Sequence, residues 1–245
     1  MKKILAFLYG IVAYLVFLVA FLYAIGFVGN LWVPKNIDSG TDPGLAIALL
    51  IDACLLGLFA IQHSVMARPA FKAWWTKIVS PAIERSTYVL LSSLVLLLLY
   101  WQWQPMQAIV WKAESTFSIR LIYGIYFFGW AIVFFSTFMI NHFELFGLKQ
   151  IYDNFRSSPP VGGKFKQVFF YKVVRHPIML GFIIAFWAAP TMTAGHLVFA
   201  IATTLYILIA VKFFEEKDLL KAHGAEYEEY KSKVPMIVPF TAKSK

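Results

Sequence analysis

Six long apolar stretches divide this chain, at Ile4 to Val28, Leu45 to Gln62, Tyr88 to Trp103, Ile119 to Ile140, Val173 to Ala189 and Leu197 to Val211. A run of about twenty apolar residues is the length at which an α-helix crosses the hydrocarbon core of a bilayer. The pattern predicts an all-α, polytopic integral membrane helix bundle of about six apolar segments. The last two stretches are short and are separated only by Pro190 to His196, which predicts a tilted or thin-membrane helical hairpin whose ends return to one side. The opening stretch is longer than a signal-peptide core and no small-residue cleavage site follows it, so it reads as a retained anchor.

Beyond the sixth stretch the period changes. Phe213, Glu216, Leu220, His223, Tyr227, Tyr230 and Val234 recur at alternating spacings of 3 and 4, the seam of an amphipathic helical tail. Lys217, Lys221, Glu228 and Lys231 fall on its other face. Glu216 thus lies in an apolar stripe and needs a partner, for which Arg175 or a bound ligand would serve. Gly224 costs about 1 kcal/mol inside a helix and predicts a break there into two short helices. Ser157 to Gly163, rich in Ser, Pro and Gly, reads as a flexible loop. A division follows: residues 1–140 carry helices one to four, and 141–245 carry a loop, the hairpin and the tail, all in one integrated domain.

Charge orients the segments. Lys35, Lys112 and Arg120 are the only three of the 22 Lys and Arg residues that fall on one side of this topology. The other 19 flank the opposite ends, which places both chain termini in the cytoplasm by the positive-inside rule. The net charge of +9 is therefore topological, with anionic lipid headgroups as counterions, and implies no nucleic-acid partner. With 60% hydrophobic and 14% charged residues, a water-soluble domain is excluded. Cys54 lies inside the second stretch and is expected to pack there; Trp74, Trp75, Trp101 and Trp103 are expected to anchor at the interface.

Polar and ionisable groups gather at the cytoplasmic ends: Gln62 and His63 after the second stretch, Asn141, His142 and Glu144 after the fourth, Arg175 and His176 before the fifth, Glu215 and Glu216 after the sixth. Such groups in or beside lipid mark a site by default. Pro177 suits a first helical position, and the helix start it marks, with Arg175 beside it, would seat an anionic group. No glycine-rich strand-to-helix fingerprint is present, since Gly162 and Gly163 follow no strand, so no Rossmann domain is expected. Histidines near one interface do not suit haem, which wants them deep on facing helices, and no metal site is expected.

Arg-His-Pro-x-x-x-Gly at 175–181, Glu-Glu-x-x-Leu at 215–219, and Gly224, Tyr227, Tyr230 and Val234-Pro235 resemble the cofactor-binding half of the isoprenylcysteine carboxyl methyltransferase-like membrane methyltransferases. Upstream, Gln62 to Pro69, Glu84 to Tyr88, Trp101-Gln102-Trp103 and Asn141 to Leu148 are similar to the branch that holds the bacterial methanethiol S-methyltransferases and the nurim-like proteins. Met179 and His223 stand where the wider superfamily has tyrosine and phenylalanine, which fits a different acceptor. The resemblance covers nearly the whole chain. It implies S-adenosyl-L-methionine as methyl donor and a small thiol as acceptor, methanethiol becoming dimethyl sulfide, at the cytoplasmic face of a bacterial inner membrane. By similarity, Arg175, His176, Pro177, Gly181, Glu215, Glu216, Tyr227 and Tyr230 would form the cofactor site. A thiol is largely protonated at neutral pH, so a base is needed, and His142 and His63 are the candidates. Glu144, two residues from His142, faces away on a continuous helix and orients that ring only if the helix ends at Asn141. Two alternatives remain at this level: a membrane methyltransferase for a larger thiol, carboxylate or lipid, and a non-enzymatic membrane scaffold.

Overall fold

The structure, a computed structural model, describes residues 1–158 and 167–241. In chain order its elements are α1 (Lys2–Gly29), α2 (Leu45–Ala67), α3 (Pro69–Trp75), α4 (Pro81–Gln102), β1 (Ile109–Lys112), α5 (Thr116–Ile140), α6 (His142–Leu145), α7 (Leu148–Arg156), α8 (Pro177–Trp187), β2 (Thr191–Thr193), α9 (Ala194–Ala210), α10 (Glu216–His223) and α11 (Ala225–Lys233). A 3₁₀ turn, Phe169–Lys172, precedes α8, and a π-helical turn, Val211–Glu215, joins α9 to α10. From Pro159 onward the predicted loop lies outside the described residues. The chain is an integral membrane protein: α1, α2, α4, α5 and the run Ala194–His223 are each long and apolar enough to cross a bilayer. Among the described residues the only sheet is the antiparallel pair β1–β2.

The hairpin differs from its expected form. Its first arm is a helix only from Pro177 to Trp187, about 16 Å at 1.5 Å per residue, half of a roughly 30 Å core. Its second arm is long, because the polar residues after Val211 end the apolar run but not the helix, which continues through the π-turn for 30 residues in all.

By contacts the chain forms two compact units, Met1–Gln107 with Asn141–Gly162, and Ala108–Ile140 with Gly163–Lys245. In the first, α1 packs on α4 and α7, and α2 on α4. Lipid offers no hydrophobic drive between helices, so close backbone approach does the holding. Gly10 shows it: a Cβ there would stand 2.4 Å from Ile151 Cδ1. Leu5, Leu8, Val12, Leu15, Val19 and Leu22 cover the outward face of α1. Cys54, expected to be packed, is exposed, because α2 buries only Ala48, Asp52, Leu55 and Met66. Trp103, expected at the interface, is fully buried: the chain leaves α4 there in an extended conformation and sets the indole edge-on to Phe27, 6.3 Å between centroids. Trp101 remains outside, 69% exposed.

In the second unit α5 and α8 cross where two glycines meet. A Cβ on Gly181 would lie 2.6 Å from the Gly129 carbonyl oxygen, and one on Gly129 would lie 2.7 Å from that of Gly181. Trp130 closes the crossing with edge-to-face contacts to Phe182 and Phe186. The extended segment after α8 must have its backbone groups satisfied if it lies at membrane depth. The Trp111 indole donates to the Ala189 carbonyl at 3.1 Å, Ala113 N to Pro190 O at 2.8 Å, and the β1–β2 ladder pairs the rest. His196, 1% exposed, contacts the Phe186 carbonyl oxygen through Nε2 at 2.9 Å.

Candidate active site

In each unit, polar residues that the sequence had marked come together with others that it had not. In the second unit they meet where α8 begins. Pro177, lacking an N–H, takes the first helical position, and the extended residues ahead of it pair with the tail. Arg175 N donates to Pro235 O at 2.9 Å and His176 N to Met236 O at 3.1 Å. Met236 and Ile237 then pack with Ile207 and Val211 of α9 and its π-turn and with Met179, Leu180, Phe182 and Ile183 of α8. The tail is therefore an integral wall of this unit. Ile237, 4% exposed, escaped the sequence reading because it falls after the helical seam ends.

Glu216 is the hub. Its Oε1 accepts from Arg175 Nε at 2.7 Å, lies 2.5 Å from Arg175 Nη2, contacts His176 Nε2 at 3.3 Å and accepts from the Tyr227 hydroxyl at 3.3 Å. Lys231 Nζ stands 3.5 Å from Oε2. The remaining guanidinium nitrogen of Arg175 donates to the carbonyls of Lys231 and Val234, so all three nitrogens are engaged inside the unit. The partner that the seam demanded for Glu216 is thus Arg175. The π-turn sets this up: its extra residue turns the helix so that Glu216 faces inward, while neighbouring Glu215 keeps a side chain 44% exposed and still lies 3.5 Å from His176 Nδ1. Burial by itself lowers the His176 pKa, but the bonds to Glu215 and then Glu216 overcome it and raise the value to about 9. The imidazole is therefore cationic at neutral pH, donating from both nitrogens.

Tyr227 and Tyr230 are 1% and 4% exposed and meet edge to face at 5.9 Å. Burial, then the Glu216 charge, pushes the Tyr227 hydroxyl well above its ordinary pKa against the opposing pull of Arg175. Burial likewise pushes Tyr230 up to about 12, with Arg175 opposing and Glu216 assisting. Tyr230 donates its hydroxyl to the Tyr171 carbonyl. Gly224, at φ 53°, breaks the tail into α10 and α11 as expected. The seam holds for Glu216, Tyr227 and Tyr230, while Phe213 and Leu220, on the near side of the break, are 49% and 38% exposed. Gly181 lies against α5 in the helix crossing described above.

In the first unit, three blocks that stand far apart in sequence come together. Helix α5 ends at Ile140, and Asn141 caps the four-residue α6 by accepting from Glu144 N through its side chain. Asn141 Nδ2 in turn donates to Glu144 Oε2 at 2.6 Å, so this carboxylate serves the cap. Arg85 Nε donates to the Leu145 carbonyl at 2.7 Å, and Gly147, at φ 88°, brings the chain so close to α4 that a Cβ would lie 2.7 Å from Ser86 Oγ. His142, 7% exposed, meets the Tyr14 hydroxyl through Nε2 at 2.8 Å. Phe146 stands 4.8 Å from its ring and stacks on Phe17 at 3.9 Å. Burial lowers the His142 pKa, which leaves the ring neutral at pH 7. His63 forms a second such pair, its ring 3.0 Å from the Tyr88 hydroxyl and 3.5 Å from Ser92 Oγ, with Phe59 stacked on it. Phe17 and Phe146 also pack on the cluster of Met66, Tyr88 and Val89.

Tyr14 and Ser92 were not singled out in the sequence, and Tyr88 entered only where the third stretch begins and the Glu84 to Tyr88 block ends. Tyrosine within an apolar run gives no signal until the helix that faces it is known. Asp52 was missed as well, although an acid in the middle of an apolar stretch is visible: it is fully buried, and its Oδ1 accepts from Gln104 N at 2.9 Å.

These features define a polytopic helical membrane protein with a short eleven-residue helix, a docked C-terminal tail and two histidine-centred polar clusters. Residues 50–240 match the family model described as NnrU protein, and the chain belongs to that family. It is 56% identical over 232 residues to methanethiol S-methyltransferase 2 of Bradyrhizobium diazoefficiens, covering 95% of this chain and 89% of that one. It is 53% identical over 240 residues, 98% of each chain, to methanethiol S-methyltransferase of Mycobacterium tuberculosis. It is also 30% identical over 177 residues to mouse nurim, covering 69% of this chain and 67% of nurim. No solved structure matches the chain.

Proposed function

We propose that this chain is an S-adenosylmethionine-dependent thiol S-methyltransferase that converts methanethiol to dimethyl sulfide, with its termini and reactive groups on the cytoplasmic face of a bacterial inner membrane. The observation that carries the reading is 53% identity over 98% of both chains to a relative of that name. The donor set of the second unit fits the cofactor. Glu215 offers an exposed carboxylate to the hydroxyl or amino groups of the cofactor, next to the cationic His176 that it helps to hold. Arg175, Glu216 and Tyr227 spend their polar groups on one another, on His176 and on the tail, and Tyr230 spends its hydroxyl on the Tyr171 carbonyl, so they hold the site in shape, with Pro177 and Gly181 fixing the start and the seat of α8.

When bound, S-adenosylmethionine supplies a methyl group on a sulfonium, so the electrons of the broken carbon–sulfur bond leave with the donor while the substrate sulfur gains the methyl. The chain must orient the thiol, exclude water and take its proton. Neutral His142, walled by Phe146 and Tyr14, suits the last task, and His63 serves the same apolar surroundings from α2. Glu144 acts by capping α6 and so fixing the His142 backbone.

Two measurements test the reading. Purified protein should bind S-adenosylmethionine in calorimetry, and cells expressing it and fed methanethiol should release dimethyl sulfide into the headspace, with His142→Ala as control. Wild-type protein that binds no cofactor, or headspace equal to the empty vector, would refute it.

A further inference from the structure

A polar atom reaches the His142 ring from the middle of an apolar run in α1. Tyr14 Oη lies 2.8 Å from His142 Nε2, and the two rings stand edge to face, 83° between planes. Around this contact the walls are aromatic: Phe17 is 5.9 Å from the Tyr14 ring, Phe146 lies 6.4 Å from it, and Phe143 lies 5.6 Å from the His142 ring. The α6 segment that bears the histidine is short, yet three contacts fix its backbone: the Asn141 cap, the Arg85 bond to Leu145 and the close seat of Gly147 on Ser86. With the backbone fixed, rotation about the histidine side-chain bonds is the freedom left. The Tyr14 hydroxyl removes it.

We infer that Tyr14 is the positioning residue of the thiol-deprotonating step: with Nε2–H donated to the Tyr14 oxygen, the His142 ring is held in the orientation in which its Nδ1 takes the substrate proton. This rests on the thiol methyltransferase reading above. The balance is simple: the thiol loses its proton to the imidazole as its sulfur forms the bond to the methyl carbon, and the imidazolium later releases that proton to water. A side chain oriented in advance by a hydrogen bond among aromatic walls reacts at the cost of little reorganisation, and a misplaced base slows proton transfer without weakening binding.

The test uses full-length protein in detergent or nanodiscs and two small thiols, methanethiol and 2,2,2-trifluoroethanethiol, whose fluorines make it markedly more acidic, so that at pH 8 much of it is thiolate already. For Tyr14→Phe we expect kcat on methanethiol to fall about tenfold, the size of one lost hydrogen bond. The same variant should lose less than about twofold on the fluorinated thiol, with cofactor binding unchanged. In a His142→Gln background, Tyr14→Phe should have no further effect on methanethiol. Equal losses on both thiols, or additive losses with His142→Gln, would overturn the assignment and make Tyr14 a packing residue. Should Tyr14→Phe fail to fold, Tyr14→Met, which also removes the hydroxyl, takes its place in the same comparison of the two thiols, and the same two outcomes decide. Wild-type protein inactive on both thiols would instead overturn the underlying enzyme reading.

Discussion

Replacing Glu216 by Gln keeps the shape of the hub and removes its charge. In the native protein one carboxylate oxygen takes two guanidinium contacts at 2.5 and 2.7 Å, an imidazole nitrogen at 3.3 Å and a phenol at 3.3 Å, and Glu216 is only 5% exposed. The pair as a whole is not a large net source of stability, because two ions had to leave water. Breaking it from one side is different: Arg175, 9% exposed, keeps its charge and loses its counterion. Removing one partner of such a pair costs about 3–5 kcal/mol, which for a chain of this size corresponds to a melting-temperature loss of roughly 6–20 °C. The damage should fall on the tail, because Arg175 also ties down the Lys231 and Val234 carbonyls. Thermal melts in detergent and limited proteolysis after α10 should therefore change together, with α11 released first. Arg175→Met should restore part of the loss in the Glu216→Gln background, since the double variant buries no unpaired charge. A Glu216→Gln protein that melts within about 2 °C of wild type and resists tail cleavage would refute the reasoning.

Three further outcomes follow from other contacts. His176 has its pKa raised from 6.5 to about 9, so its contribution, up to about 3 kcal/mol, is fully present below pH 6.5 and is lost as pH rises through 9. Melting temperature should fall across that window in wild type, and the fall should flatten in His176→Gln. Gly181→Ala forces a Cβ to 2.6 Å from the Gly129 carbonyl oxygen and should destabilise by about 1–3 kcal/mol, read by thermal melt, with Gly129→Ala giving a similar loss. Glu215→Gln, at a half-exposed position, should lower the melting temperature by no more than about 5 °C, through the weaker hold on His176, while weakening S-adenosylmethionine binding in calorimetry by about tenfold; unchanged affinity would remove Glu215 from the cofactor set.

Much of this architecture was legible because lipid is a demanding solvent. The apolar runs had to be helices, and a glutamate in an apolar stripe had to find a partner, so Arg175 could be named for Glu216 beside a bound ligand, and the structure chooses Arg175. The break at Gly224 followed from its cost within a helix. Three things were not legible. The α8 arm is only half a span because the extended residues beside it are satisfied by β1, whose role in pairing a distant segment leaves no local pattern. The length of α9 with α10 was hidden because hydropathy ends at Val211 while backbone hydrogen bonding does not. Cys54 and Trp103 were assigned the wrong sides, since each lies on a helix that is apolar all round or at its exit, where periodicity cannot say which face turns inward. The same limit hid Tyr14.

The π-turn at Val211–Glu215 gives the last long helix two independent phases. Above it, which residues of α9 face outward is governed by lipid and by neighbouring helices; below it, rotation is governed by the ion pair that Glu216 must make. A plain α-helix would lock these demands together, so that a substitution changing the tilt of α9 would also swing the carboxylate away from Arg175. The extra residue acts as a gear between the two. The membrane-facing half and the half that holds the tail thus each meet their own packing demand within one continuous helix, offset by the phase the extra residue supplies.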